Sequence, residues 1–542
     1  MRRLQAHTSD ALTVLGCVLA LYPGSASAQQ VYRLTDLGTL GGQSSTAADI
    51  NEVGEITGDS MLADNFTIHA FRVVPGEPMI DLGTLPSCRR VDNLGRESTA
   101  AKINASGQIV GNSCSLTGPA RAFLSVPNQP LVNLGTLAEG YFSFAYDINN
   151  KGRATGFSTT KIDGKFNAHA FRASAGRPMT DLGVCPAGDV GFPAELIAQH
   201  SAGNVINGAG EVAGLCINEW IELSSGAEFD VQHAFISKPG QPMVDLGTLG
   251  GSHSNAFAIN WLGQVTGLSA IGGDDETHAF LWTEGIGMQD LGVLPGGSFS
   301  AGDAINARGS VAGVSGTSEG NFHAFLWDGN SMKDLGSLGG GITGSVALNK
   351  AGQVTGSSYL LDGRQRAFLS IGGGTMKNLN HLIDPSDPLE PRVVLQAGID
   401  INERGQIVAN GCDRLTGECH AYVATPREYS IRVLTPTVGS NWSAGATVAV
   451  KVALLNQAGE RISDSRATLL AAECKVHFSA SGGQSKPPVC MSYDVSTNEF
   501  FFDWELGATG LGRTILEVDA TYRFSMPETI TTSKSRVIRI TQ

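Results

Sequence analysis

The sequence predicts an all-β protein, an eight-bladed β-propeller followed by an immunoglobulin-like β-sandwich. Three observations carry that expectation. One motif recurs eight times along 542 residues; glycine is heavy (69 residues) while charged residues are only 16%; and the motif stops near Pro426, where a different alternating pattern begins. A period of about 40–50 residues with several short apolar runs per repeat is the mark of a radial β architecture. A chain of this length also exceeds one ordinary core, so a repeat array plus an added domain is the natural division.

Each repeat reads Asp-Leu-Gly-Thr-Leu-Gly-Gly, then Ser-x-Ala-x-x-Ile-Asn-x-x-Gly-x-Val-x-Gly, then His-Ala-Phe. Its anchor asparagine stands at Asn51, Asn104, Asn149, Asn207, Asn260, Asn306, Asn349 and Asn402. In the first repeat, Thr46–Asn51 alternates as a strand and Glu52-Val53-Gly54 turns the chain into a second strand, Glu55–Gly58. Asn bonds forward to the backbone and Gly accepts positive φ, so Asn-x-x-Gly suits a tight hairpin. His69–Arg72 forms a third strand and Met79–Leu82 a fourth, making one blade. An orphan fourth strand, Val31–Gly38, precedes the first repeat, and none follows His420–Val423. The first strand is therefore expected to complete the last blade and close the ring, leaving no exposed sheet edge. Seven blades plus an irregular one is the fallback.

Residues 1–28 read as a secretory leader: Arg2 and Arg3, an apolar run Ala11–Tyr22, and Ala26-Ser27-Ala28 as the cleavage site before Gln29. A secreted or periplasmic protein is the expectation. Val14-Leu15-Gly16-Cys17 offers a lipid tether at Cys17 as the rival, although the apolar run continues past it. No later segment has the roughly 20 apolar residues of a spanning helix. The net charge is −14, and no Lys/Arg cluster suits a phosphate backbone, which argues against nucleic acid.

The Asp-Leu-Gly, Ile-Asn-x-x-Gly and His-Ala-Phe motifs, in fixed order from about Val31 to Val423, resemble the HAF repeat, a family of bacterial extracellular repeats. Arg121 and Arg366 depart from it at the histidine, Tyr422 at the phenylalanine, and Asn133 and Asn378 at the aspartate. The resemblance implies an exported propeller-like protein and no defined activity. The expected division is a leader over 1–28, the propeller over 29–426 and the sandwich over 427–542. The sandwich strands are Ile431–Leu434, Thr447–Leu454, Cys474–Phe478, Glu499–Trp504, Thr514–Ala520 and Arg536–Thr541, with Trp504 in the core.

In such blades the loop leading in and the loop between the second and third strands share one face, and the length variation falls there. Binding sites are sought on that variable face. Eight cysteines remain beyond Cys17, an even number in an exported chain. Pairing neighbours within the repeat frame gives Cys88–Cys114, Cys185–Cys216 and Cys412–Cys419, with Cys474–Cys490 in the sandwich. The repeated histidines (His69, His169, His233, His278, His323, His420) and aspartates (Asp36, Asp81, Asp181, Asp245, Asp290, Asp334) read as structural, since each occurs about once per blade.

Function is expected where the repeat breaks. The fourth blade is longest, and its loops carry His200, Glu219, Trp220, Glu222, Glu228, Phe229 and Asp230, aromatic rings beside carboxylates that suit a sugar. Asp274, Asp275 and Glu276 supply oxygen ligands for Ca²⁺ but lack the spacing of a calcium loop; no cofactor is otherwise expected. The leading expectation is a non-enzymatic scaffold for a glycan or cell-surface protein. A carbohydrate-active enzyme using carboxylates at the channel mouth is the second, and a structural envelope component the third.

Overall fold

The computed structural model describes residues 31–541, apart from 87–97, 116–117, 163, 187–193, 223–227, 386, 427–429, 436–440, 444–446, 456–460, 462–466, 468–470, 472–475, 483–485, 506–511 and 523–529. The leader and Cys17 lie outside that range. The chain divides into two compact units, one holding Gln30–Glu428, the other Tyr429–Tyr522 and Thr531–Gln542. Both are all-β; among the described elements the strands are interrupted by a single 3-10 helix, Leu379–Leu382.

The first unit is a succession of small antiparallel sheets, one per repeat. In the first repeat the strands are Gly41–Ile50, Ile56–Leu62, Ile68–Val73 and Ile80–Asp81, each pairing with the next. Every first strand carries a register shift just before its anchor asparagine, as between Ala47 and Asp49 or Ala100 and Lys102. The extra residue of such a bulge strengthens the local twist. It also explains the glycine of Val-x-Gly on the second strand. A Cβ on Gly111 would meet the Thr99 carbonyl at 2.0 Å and the Phe123 ring at 2.9 Å.

The His-Ala-Phe phenylalanine lies in the core of each sheet. Phe71, Phe123, Phe171, Phe235, Phe280, Phe325 and Phe368 are fully buried, as is Tyr422 in the last repeat. Phe171 packs with Ile148 of its own sheet and with Val110, Ala122 and Leu124 of the sheet before it. Burying such a side chain stabilises by about 1.5–3 kcal/mol. The sheets are thus glued face to face by one aromatic residue per repeat.

The eighth sheet takes its outer strand from the start of the chain. Tyr32–Asp36 runs antiparallel to Cys419–Pro426, with Tyr32 opposite Pro426 and Asp36 opposite Tyr422. The segment after the 3-10 helix covers the far edge of that closing strand. Asp384 donates its backbone N–H to the Tyr32 carbonyl at 2.8 Å, and Leu34 donates to Asp387 Oδ2 at 2.8 Å. An edge that would otherwise be open to pairing is occupied.

The second unit contains a four-stranded and a five-stranded sheet. The first joins Ser430–Thr435, Thr447–Leu455, Glu499–Glu505 and Ser492–Asp494; the second joins Asn441–Ser443, Ile530–Thr541, Gly512–Tyr522, Val476–Gly482 and Lys486–Cys490. Val448, Val450, Val452 and Leu454 alternate inward along one strand, and Phe500 and Trp504 are buried with them. Three short strands, Asn441–Ser443, Lys486–Cys490 and Ser492–Asp494, were not legible in the alternation, which needs more than a few residues to register.

Candidate functional site

Most of the repeated polar residues are consumed by joints within and between sheets. Each anchor asparagine accepts the backbone N–H four residues on through Oδ1, at 2.9–3.1 Å, closing its own hairpin. Its Nδ2 donates to the backbone carbonyl of the anchor asparagine in the next repeat, at 2.8–3.3 Å. That chain runs from Asn51 through all eight and returns from Asn402 to Asn51. The serine of six first strands accepts the N–H of a His-Ala-Phe alanine in the preceding sheet, as Ser98 does from Ala70, and donates to the preceding Asp-Leu-Gly glycine carbonyl.

The six repeated histidines place Nδ1 2.7–3.0 Å from the six repeated aspartates: His69 with Asp81, His169 with Asp181, His233 with Asp245, His278 with Asp290, His323 with Asp334 and His420 with Asp36. The same carboxylates accept a glycine N–H two residues on. Burial pushes the Asp81 and Asp181 carboxyls up, but the bonds from histidine and glycine outweigh it and hold both below the usual range. In the second and seventh sheets both partners change together. Arg121 accompanies Asn133 and Arg366 accompanies Asn378, so no arginine stands where a carboxylate was kept.

What remains is the non-repeating position two residues before each anchor, with its bulged neighbour. First strands of all eight sheets line one cavity of about 600 Å³, bordered by the tight Asn-x-x-Gly turns. Into it come Asp49, Asp147, Asp303 and Asp400, the cation Lys102, and the rings of Tyr146 and Phe257. Lys102 Nζ lies 2.8 Å from Asp49 Oδ1, whose other oxygen accepts the Ile103 N–H at 2.8 Å. Asp147 accepts the N–H groups of Ile206 and Ile148, and Asp303 accepts that of Val346. Three of the four aspartates therefore also tie one sheet to the next.

The cavity is electrostatically tense. Burial pushes Asp49 well up, with Lys102 opposing; the charge of the neighbouring Asp400 pushes it further. Asp147 is pushed up to about 6 by burial against the pull of Lys102 and two backbone N–H groups. Asp303 also reaches about 6, by burial opposed only by the Val346 N–H. Burial alone would lower Lys102, but Asp49, Asp400 and Asp147 outweigh it and hold the ammonium charged. Tyr146 continues into an aromatic cluster: Phe157 lies 5.7 Å from it, stacks on Phe144 at 5.3 Å and meets Phe142 edge-on.

The residues singled out from sequence lie elsewhere. At those positions the fourth sheet has long strands, Ala194–Ile206, Val212–Glu222 and Glu228–Ser237, with pairing that continues to Ala194 opposite Glu222 and Ile221 opposite Glu228. His200 accepts the Ala168 N–H at 3.2 Å, and Asp230 is exposed beside Gln232. Glu219, Trp220, Glu222, Glu228 and Phe229 are strand residues whose side chains fall outside the described set. Asp274 turns a hairpin at φ 60° and accepts the Ser252 N–H at 2.6 Å, the bond that Asn65 makes to Gln43 in the first repeat. Glu276 bonds His278 at 3.2 Å. Among the described residues, Asp274, Asp275 and Glu276 included, no three His, Cys, Asp or Glu side chains gather as a metal site.

Cys185–Cys216 and Cys412–Cys419 are disulfides. The latter joins residues directly opposite on paired strands, its Cα atoms 4.0 Å apart. Cys114 and Cys490 are also disulfide-bonded, while Cys88 and Cys474 lie outside the described residues. No helix among the described residues is long and apolar enough to cross a membrane.

No family model matches the sequence, and no curated protein matches it. Solved structures resemble it only distantly. Porphyromonas gingivalis dipeptidyl peptidase 4 is 9% identical at a TM-score of 0.40, over 85% of this chain and 65% of that one. Pyrococcus horikoshii acylaminoacyl peptidase is 10% identical at 0.32, over 77% and 59%. This chain thus spans less than two thirds of either peptidase, and at these scores the likeness carries no argument about activity.

Proposed function

We propose that this chain is an exported HAF-repeat protein, an eight-bladed β-propeller carrying an immunoglobulin-like sandwich, and that it serves as a non-enzymatic binding module. The closed circuit of eight asparagine bonds and the pairing of Tyr32–Asp36 with Cys419–Pro426 support the eight-bladed reading. The observation that carries the function is the cavity where non-repeating aspartates, Lys102, Tyr146 and Phe257 meet. Its volume is that of a small-ligand site. Carboxylates that accept hydroxyl protons, beside rings that cover apolar sugar faces, suit a polyhydroxylated ligand such as a glycan end.

Binding is favoured over turnover by the use of the carboxylates. Asp49, Asp147 and Asp303 accept backbone N–H groups. Asp400 stands near enough for its charge to push the Asp49 carboxyl up, and Lys102 Nζ already holds Asp49 at 2.8 Å. One feature favours the enzyme instead: burial moves the Asp303 carboxyl up to about 6, toward the range in which a general acid works. A glycan array and a hydrolysis screen on Gln29–Gln542, beside Asp303→Asn and Lys102→Met, separate the two. Binding without turnover that weakens in Lys102→Met is the expected result. Turnover abolished by Asp303→Asn would establish the glycosidase, and silence on every glycan would sink both readings in favour of a protein partner or an envelope component.

A further inference from the structure

At the other end of the strands the chemistry reverses sign. A second cavity, about 370 Å³, lies between the seventh and eighth sheets and is lined by Arg364, Arg366 and Arg414 together with Asn378, His381 and Glu390. The arginines come from separate places: Arg364 and Arg366 from the hairpin leading into strand Gln365–Ile371, and Arg414 from the turn between Ile407–Asp413 and Cys419–Pro426. Leu34, Ile383 and Val393 form a buried apolar floor. In a chain of net charge −14, three guanidinium groups on one hollow run against the overall balance.

The repeat supplies its own control. At the Arg366 position six sheets carry histidine, each facing an aspartate. Here the histidine has become Arg366 and the aspartate Asn378, so one site gains a fixed cation and loses its anion. Arg366 bonds the Gln365 carbonyl at 2.6 Å. Arg364 is paired with Asp362, and the nearby Arg392 with Asp413. Among the described residues Glu390 is the one carboxylate on the cavity wall. Burial depresses the Arg366 guanidinium, and the charges of Arg364 and Arg414 depress it further, against Asp362. Arg364 and Arg414 are exposed at the rim and Arg366 is half-buried; like charges gathered on one hollow favour an anion between them, and planar guanidinium forks match oxyanions in geometry.

We propose that this cavity is an oxyanion-binding site, taking a phosphate, sulfate or carboxylate group of a small ligand through Arg364, Arg366 and Arg414. It stands independently of the glycan reading of the central cavity. The test is calorimetric titration of the chain with inorganic phosphate, sulfate and galacturonate at constant ionic strength set by chloride. Two variants accompany the parent. Arg366→His with Asn378→Asp restores the pair that six other sheets fold with, and Arg414→Gln removes a cation from the rim.

Saturable binding of at least one oxyanion, weakened on the order of tenfold in each variant with unfolding temperatures near the parent's, is the expected result. Preference for phosphate or sulfate identifies an inorganic-type ester group as the ligand, and preference for galacturonate identifies a uronic acid. Heats no different from chloride for all three anions, or equal affinity in parent and variants, would overturn the site. Loss of central-cavity binding in Lys102→Met leaves this titration unchanged, so the two readings fail separately.

Discussion

Two positions, one near the end of each first strand and the other just past it, two residues apart, behave as different kinds of site. Asn51 and its seven counterparts are identical in every repeat, neutral and bonded on both sides. Asp49 and its counterparts are Asp, Lys, Asp, Val, Ala, Ala, Ala and Asp, and they hold the strained charges. The identical position builds the circuit of sheets, because one bond pattern must be met eight times. The varied position faces the cavity, where no such demand exists and local chemistry can accumulate. Identity along this chain therefore marks architecture, and departure from identity marks chemistry.

The sharpest way to break that comparison is at the ring. Asn260→Ala removes a hairpin bond and a bond to the next sheet and leaves buried backbone groups unpaired. It is expected to cost about 3 kcal/mol in denaturant unfolding, whereas Ala258→Ser two residues earlier should cost under about 0.5 kcal/mol. Equal losses at the two positions would end the distinction. Lys102→Met comes next, since it leaves Asp49 and Asp400 facing each other without a cation. A loss of about 2–3 kcal/mol is expected above pH 7, shrinking toward pH 4 as the carboxyls protonate, and Asp49→Asn in the same chain should recover most of it. A pH-independent loss would point to packing rather than charge.

Asp303 predicts the opposite sign. Its carboxyl, pushed up to about 6 in the folded chain, is ordinary when unfolded. Its favourable contribution is thus complete below about pH 4 and lost as pH rises through about 6. Asp303→Asn keeps an acceptor for the Val346 N–H and should stabilise the protein by about 1–2 kcal/mol at pH 8, after allowance for water in the cavity, with no difference near pH 4. Stabilisation at both pH values would refute the titration argument. The smallest effect belongs to the covarying pair. His278→Arg and Asp290→Asn should each cost about 1 kcal/mol, and the double variant about 0.5 kcal/mol less than their sum. Strict additivity in a double-mutant cycle would show that the two positions do not recognise each other.

Much of the repeat unit was legible. Asn-x-x-Gly named its hairpins, His-Ala-Phe its third strand, and the orphan strand at Val31–Gly38 the partner of the final sheet. The candidate sites were not. Rings and carboxylates in the fourth repeat drew attention because they stood together in sequence, yet His200 and Asp230 sit on long paired strands. Asp49, Asp147, Asp303 and Asp400 are scattered over 352 positions, each hidden inside a repeat whose other residues explain themselves. A signal was present: aligning the repeats and reading down the column before Ile-Asn isolates Asp49, Asp147 and Asp400, with Asp303 one position earlier. The same alignment shows Arg366 and Asn378 changing together, as do Arg121 and Asn133.

The sequence by itself determined the strand pattern, the turns and which side chains face the sheet interfaces, because those depend on residues within about a dozen positions of one another. Only the tertiary structure decided which charges meet. Lys102 faces Asp49 and Asp147 from neighbouring sheets, and Asp400 comes beside Asp49 because the last sheet abuts the first. Such encounters are set by the order and number of sheets, and the resulting shifts in charge depend on burial and on 3 Å distances that no local pattern encodes.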